Sequence, residues 1–402
     1  MLNVKSIVEV LELIDHRFGD LHTESQSIPL DAALGRTLAA DVTATENVPN
    51  FNRSTVDGYA VIAADVFGCS ESIPALLNLA GESHMGQPVN IQLQKGQCVY
   101  VPTGAELPAN ADAMVMLENA DDFHDGTIAI YKPAAPGANL IYRGDDVKPG
   151  QAVLPTGLRL TAADIGALAA LGVTQVSVAC APRVAIISTG DELVAAGQPL
   201  QLGQIRDVNA PMLTAAVSAS GGLPDPRGIL RDEQAVIQAA VDAAIDTCDM
   251  LLISGGTSVG VKDAIPAVIS ELGELLVHGV AAKPGKPTIL GEIQGKPVFG
   301  LPGNPVAAYF MFLTFARPLL LSMQGAQTET RTLSAPLARA VSSNHGREEF
   351  VPVRLSDGFV HPIASKSGLI TTLAGADGFI RIARDCEGLS RDENVQVTLF
   401  ER

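Results

Sequence analysis

The stretch DMLLISGGTSVG, Asp249 to Gly260, runs an unbroken apolar segment into paired glycines and a polar turn. An apolar run of strand length that stops at glycine reads as a buried strand entering a tight turn. The pattern recurs on both sides, in RVAIISTGDEL (Arg183 to Leu193) and PVFGLPGNPVAAYF (Pro297 to Phe310). Helical patterns such as RDEQAVIQAAVDAAID, Arg231 to Asp246, lie between them. Strand, glycine turn and helix in alternation from about residue 180 to 323 predict a parallel α/β sheet. Open sheets of this kind bind ligands outside the carboxyl ends of their strands, so the three turns are expected to share one edge.

Outward from this core the pattern changes. Residues near 45 to 135 are rich in Gly, Pro and Asn, with short alternating runs such as QCVYVP and TIAIYKP, and read as a mostly β insert. The opening MLNVKSIVEVLELIDHRF has apolar residues at helical spacing. In TAADIGALAALG, Thr161 is placed to N-cap a short apolar helix ending at Gly172. After residue 327 the runs EEFVPVRL, GFVHPIA, GFIRIAR and NVQVTLF alternate again, as in a small β-barrel. The expected division is a helical and linker domain over 1–45 and 136–178, a β insert over 46–135, an α/β domain over 179–326 and a β-barrel over 327–402.

Bulk properties exclude several classes. The 402 residues carry 44 acids against 27 bases, a formal charge of −17, which argues against a nucleic-acid or anionic membrane surface. Five scattered cysteines, Cys69, Cys98, Cys180, Cys248 and Cys386, never spaced C-x-x-C, predict reduced thiols in a cytoplasmic protein and no zinc knuckle. The most apolar stretch, VAAYFMFLTFARPLLL, is interrupted by Arg317 and Pro318, so no membrane segment is expected.

The chemistry concentrates in the turns. SGGTSVGVKD, Ser254 to Asp263, lacks the Gly-Lys-Ser/Thr ending of a P-loop, which disfavours a nucleotide hydrolase. Its glycines can still offer backbone N–H groups to an anion without spending a cation. Asp263 closes the loop, and a carboxylate beside a phosphate suits Mg2+. Asp191 and Glu192 follow one strand, and Asp207, Asn209 and Asp232 lie in GQIRDVN and GILRDE, where each can also be a turn or cap residue. KPGKP, Lys283 to Pro287, sets two cations on a proline-stiffened loop, an oxyanion site or a pair of solvated lysines. In LPGNPVAAYF, Asn304 is placed as N-cap and Pro305 at the first helical position. FNRSTVDGYAV, PTGAELP and RGDDVKPG read as turns. No G-x-S-x-G elbow or ligand-spaced histidine cluster is present.

In this order VPNFNRSTVDGYAV, PTGAELPANADAMV, RGDDVKPG, STGDELV, SGGTSVGVKD, KPGKP and GLPGNPV resemble the molybdopterin molybdenumtransferase family, MoeA in bacteria and the E domain of gephyrin in animals. The likeness covers nearly the whole chain. It implies a multidomain α/β fold with a MogA-like domain, and the last step of molybdenum cofactor synthesis, in which adenylylated molybdopterin and molybdate give cofactor and AMP with Mg2+. It also implies a homodimer in the cytoplasm, with a cleft where one subunit's insert faces the partner's α/β domain. The adenylyltransferase of the pathway and apo-molybdoenzymes are the further partners it suggests.

Carried over by the resemblance, Asp57, Thr103, Asp146, Glu192, Asp232 and Asp263 match positions implicated in activity, with Asp232 and Asp263 toward Mg2+. Ser254, Gly255, Gly256, Ser258 and Gly260 would cradle phosphate, and Pro302, Gly303, Asn304 and Pro305 would shape the cleft. Lys283, Lys286 and Pro287 fall at the molybdate pocket. Three positions depart from the pattern: Val261 replaces an acid, Ala307 a serine and Pro352 an arginine, leaving open whether Arg354 takes the last role. Two other readings compete. The related adenylyltransferase shares the SGG loop but needs neither the insert nor the barrel, and a non-enzymatic pterin scaffold need not keep the acids.

Overall fold

The computed structural model describes residues 4–256, 264–326, 330–364 and 366–400. It divides into two compact units, residues 1–40, 156–161 and 175–402 in the first and 41–155 and 162–174 in the second.

The first unit is built on a six-stranded sheet. Its order is Leu223–Leu230, Arg183–Thr189, Met250–Ser254, Lys296–Leu301, Ile289–Ile293, Glu274–His278. The first four strands are parallel, and the last two are antiparallel. The parallel pairing expected from the sequence holds across these first four strands. The exception arises at Gln294 and Gly295, both with positive φ (52° and 74°), which make the two-residue hairpin turn between neighbouring strands. So short a link cannot make the crossover that parallel pairing demands.

Successive strand residues face opposite sides of the sheet, and the chain has an apolar side chain at nearly every one. Val184, Ile186, Met250, Leu252 and Phe299 pack with Ile7–Phe18, Asn209–Ala219 and the helix from Pro305. Ala185, Ile187, Leu251, Ile253 and Val298 pack on the other face with Gln234–Ile245 and Ala264–Leu272. The opening helix forms where its spacing predicts. Ser6 caps it by accepting from the Glu9 N–H (3.2 Å) while Glu9 accepts from the Ser6 N–H (2.7 Å).

The apolar stretch after Pro305 behaves differently from its sequence reading. Arg317 and Pro318 do not interrupt it. The helix widens to a π-turn over Phe312–Ala316 and continues through Arg317–Met323. The register change falls directly before Pro318, whose ring and missing N–H a uniform α-helix would not accommodate. At 19 residues and mean hydropathy 1.6 the helix has the length and composition of a membrane span, yet 67% of it is buried inside the protein. It is a core helix.

The C-terminal strands close a barrel. Glu348–Ser356, Gly378–Ile382, Asn394–Leu399 and Thr332–Pro336 pair antiparallel in turn. Phe359–Pro362 folds back on Glu348–Ser356, and Ala338 N–H donates to the Val360 carbonyl to complete the ring. Phe310 of the core helix stacks on Phe350 (5.2 Å between centroids) and meets Phe379 edge-on, seating the barrel on the α/β layer.

The second unit is a six-stranded mixed sheet in the order Ala113–Met116, Gly58–Val61, Gln97–Val101, Ala75–Glu82, Thr127–Ile130, Ala120–Asp122. It carries an apolar core on each face and the short helix Ala162–Ala170. All five cysteines of the chain are unpaired, and burial pushes the Cys98 thiol up to about 12.

Candidate active site

Four strand ends of the first unit are laced into one surface. Gly190 N–H donates to the Leu230 carbonyl (3.1 Å), and Asp232 N–H to Asp191 Oδ1 (3.3 Å). Gly255 N–H donates to the Leu301 carbonyl (3.2 Å), and Asn209 Nδ2 to the Gly303 carbonyl (2.9 Å). The turns after Thr189, Ser254 and Leu301 therefore do share the carboxyl edge. Below them the buried Ser188 and Ser254 hydroxyls lie 3.3 Å apart.

The approach is too close for side chains. Gly255 has φ of +99°, and a Cβ there would lie 2.1 Å from the Thr189 carbonyl oxygen. Gly303 in turn lies against Gly255, the Cβ position being 3.6 Å from the Gly255 Cα. The expectation that the glycines offer N–H groups needs one amendment. The Gly255 N–H is already spent on Leu301, whereas that of Gly256 makes no hydrogen bond among the described residues. Ser258, Gly260, Val261 and Asp263 lie outside the described residues.

Buried polar atoms without partners mark the same edge. Among the described residues there are five: Thr37 Oγ1, Thr189 Oγ1, Asn209 Oδ1, Asp232 Oδ1 and His361 Nε2. Three of them come from this edge, where a ligand can satisfy them. Glu192 stands exposed in the same turn as Asp191.

Beside the edge opens a cleft of about 690 Å3, within the range of small-molecule sites. Lys283, Lys286, Pro287, Pro302 and Asn304 line it, as the sequence expects of one pocket. The barrel adds Arg339, Arg347 and Lys366, which sequence reasoning missed, so five cations face a single carboxylate, Glu349. Glu349 is engaged, by Lys283 Nζ at 3.0 Å and the Ser343 hydroxyl at 2.6 Å. Arg339 donates to the Pro362 carbonyl (2.8 Å). Lys286 and Arg347 make no side-chain hydrogen bond or ion pair with another described residue, leaving two cations available to an oxyanion.

Asn304 takes the N-cap position, but its side chain makes no cap bond. The Val306 N–H it would satisfy donates instead to the Ser367 carbonyl (3.1 Å), tying helix start to barrel at the cleft floor. A smaller cavity of about 360 Å3, walled by Phe312, Phe350, Phe379 and Phe400, is lined by none of the site residues expected from sequence.

Within the second unit, Asp57 and Thr103 meet at exposed turns. Thr103 N–H donates to Asp57 Oδ1 at 2.9 Å. Asp146 is also exposed, with its own N–H on the Val48 carbonyl (3.0 Å).

Comparison with known proteins agrees with this layout. Family models match along the chain: the MoeA N-terminal region (domain I and II) over residues 5–172, the "probable molybdopterin binding domain" over 185–322, and the MoeA C-terminal region (domain IV) over 334–400. The chain is 36% identical to the molybdopterin molybdenumtransferase of Haemophilus influenzae over 75% of its own length and 74% of that protein. It is 35% identical to molybdopterin molybdenumtransferase 2 of Mycobacterium tuberculosis, covering 92% and 94% of the two chains. The chain belongs to the MoeA family. A solved MoeA structure from Pyrococcus horikoshii, 32% identical, superposes over 99% of this chain and 100% of the other with a TM-score of 0.86.

The three departures from the family pattern can be placed on this frame. Ala307 and Pro352 both line the cleft, and Val261 is outside the described residues. Arg354 does not replace the arginine absent at 352. Its Nε donates to the Gly375 carbonyl (3.2 Å), and it does not line the cleft. Displacement along the strand explains this: alternation keeps Arg354 on the face of Pro352, but two residues, about 7 Å, further toward the end paired with Phe359–Pro362. Arg347 and Arg339 are the barrel guanidiniums at the cleft.

Proposed function

We propose that the chain is a molybdopterin molybdenumtransferase, which inserts molybdate into adenylylated molybdopterin and releases AMP. The observation that carries this reading is that one turn, Leu301 to Asn304, belongs to two sites. On one side Gly303 abuts Gly255 and holds Asn209, and on the other Pro302 and Asn304 line the cationic cleft. A pterin phosphate seated at the glycine edge would therefore lie next to an oxyanion seated among Lys286, Lys283 and Arg347. Holding two reactants in adjacent, preformed sites removes the entropy cost of their encounter.

The cleft suits molybdate because guanidinium and ammonium donors recognise a small tetrahedral dianion directly. The edge suits the organic substrate because its donors are backbone groups and its unsatisfied atoms are oxygens. Mg2+ fits Asp232, whose buried Oδ1 lacks a partner, with Asp263 proposed as the second ligand. When bound, the ion would neutralise charge on the substrate pyrophosphate. Glu192 and Asp57 are proposed to position substrate or move a proton, with Thr103, which bonds Asp57, and Asp146 assisting from the second unit. The proposal includes a cytoplasmic homodimer working with the pathway's adenylyltransferase and with apo-molybdoenzymes.

The test uses purified protein with adenylylated molybdopterin and Mg2+, with and without molybdate, following AMP and activation of an apo-molybdoenzyme. Molybdate-dependent release of AMP is expected. Tight binding of molybdopterin without any AMP release would favour the scaffold reading. Recovery of one intact site per mixed dimer of Asp57→Ala and Asp232→Ala subunits would support the homodimer, and size-exclusion chromatography as a monomer would refute it.

A further inference from the structure

We propose that Asn209 is a substrate-binding residue whose side-chain carbonyl accepts a hydrogen bond from an N–H group on a heterocycle of the substrate. The proposal rests on the reading above and assigns one part of its edge. Asn209 opens the helix Asn209–Ala219 and is 7% exposed. Its amide is pinned at one end, where Nδ2 donates to the Gly303 carbonyl at 2.9 Å. A carbonyl oxygen can only accept, so this contact fixes which end of the amide faces the turn. The other end is Oδ1, buried and without a hydrogen-bond partner among the described residues.

Among the described residues no structural group uses that oxygen. The helix start is served by Asp207, whose Oδ1 accepts from the Ala210 N–H at 3.1 Å. A buried acceptor left without a donor is costly and is retained where something supplies the donor. A second orphan adjoins it. Thr189 Oγ1, in a residue 2% exposed, lies 2.9 Å from the Cβ position of Gly255 and 3.1 Å from that of Gly256. Because Gly255 also touches Gly303, Asn209, Gly303, Gly255 and Thr189 form one continuous patch. It presents an acceptor and a hydroxyl that can donate or accept.

The chemistry of the patch decides what it faces. Phosphate and molybdate oxygens are acceptors, and a carbonyl oxygen repels them. A cation seeks charged carboxylates, which Asn209, Gly303, Gly255 and Thr189 do not supply, and Mg2+ is assigned above to Asp232 and Asp263. The remaining match is a polar heterocycle, which carries N–H donors and ring acceptors side by side. Adenylylated molybdopterin has two such groups, the pterin and the adenine, and both present N–H.

The experiment measures dissociation constants of molybdopterin, AMP and inorganic pyrophosphate for wild type and Asn209→Ala at saturating Mg2+, with thermal unfolding recorded alongside. Loss of about tenfold or more in affinity for molybdopterin or for AMP, with pyrophosphate unmoved, is expected, and the ligand affected identifies the heterocycle. Unchanged affinity for both, or equal weakening of all three ligands, overturns the proposal. So does recovery of the lost affinity by raising Mg2+, which would make Asn209 a cation ligand. If the alanine variant does not fold, wild type is tested with 2-dimethylamino-3-methylpteridin-4-one against pterin and with N6,N6-dimethyl-AMP against AMP, since both analogues lack the N–H donors of the base. Binding of both as tight as their parents overturns the proposal as well. Failure of wild type to bind either molybdopterin or AMP would instead sink the functional reading.

Discussion

The glycine edge and the cationic cleft share a turn but use opposite chemistry. At the edge the acids Asp191, Glu192 and Asp232 stand beside neutral, buried groups: Ser188, Thr189, Ser254 and Asn209 are each under a tenth exposed. In the cleft they are charged and wetter, with Lys286 exposed and Lys283 keeping 37% of its side-chain surface. Burying a lone charge is expensive, whereas a neutral donor or acceptor can be held buried and preorganised. The edge is thus fitted to a large substrate that brings many contacts, and the cleft to a small ion that must be drawn from water. A chain of formal charge −17 places its cations where the incoming ligand has only charge to offer.

The largest effect that would break this contrast is expected at the edge. Gly255→Ala must move a Cβ that would lie 2.1 Å from the Thr189 carbonyl, at a φ of +99°. Overpacking of this kind costs about 1–3 kcal/mol of stability, read as a fall in the denaturant midpoint. It should abolish AMP release while molybdate binding at the cleft survives. Loss of both together would mean that edge and cleft are one rigid site.

Next in size are the cleft cations without partners. Arg347→Ala or Lys286→Ala should each raise the molybdate concentration for half-maximal activity by about tenfold to a hundredfold, the worth of a hydrogen bond to a charged group. Molybdopterin affinity should stay within about twofold. High salt should weaken molybdate binding in the same direction, because half-exposed cations are screened. A molybdate response unaltered by either substitution would remove the cleft from the reaction.

The edge was legible in the sequence and most of the cleft was not. Strand, glycine turn and helix are local patterns, so Thr189, Ser254 and Leu301 could be placed at one sheet edge from their neighbours alone. Lys283 and Lys286 were visible as a local pair. Arg339, Arg347 and Lys366 were not, because they reach the cleft only through the parallel pairing of Ala282–Lys283 with Glu348–Glu349 and the closure of the barrel. Non-local register is invisible to periodicity. For the same reason Arg354 was weighed for the missing arginine, when its place two residues further along the strand and its bond to Gly375 take it elsewhere. The antiparallel pair beside the predicted parallel strands was missed because Gln294-Gly295 is not one of the Asn-Gly or Asp-Gly pairs that mark a two-residue hairpin. The π-turn over Phe312–Ala316 accommodates Pro318 within a continuing helix, where the sequence reading took Arg317 and Pro318 as an interruption.

The smallest expected effect has the opposite sign. Among the described residues Glu349 is the one carboxylate lining the cleft, 15% exposed at its side chain, and it holds Lys283 at 3.0 Å. While that pair stands, the lysine charge is largely answered from within the protein, and an arriving oxyanion meets a neighbouring negative charge. Glu349→Gln keeps the shape and keeps an oxygen for Lys283 and Ser343, but removes the charge. The half-saturating molybdate concentration should therefore fall, by about twofold to fivefold given the screening at a half-exposed site. Glu349→Asp serves as control, since it retains the charge and should not tighten binding. If Glu349→Gln weakens molybdate binding instead, the ion pair is what positions Lys283, and the cleft works through geometry rather than through its surplus of positive charge.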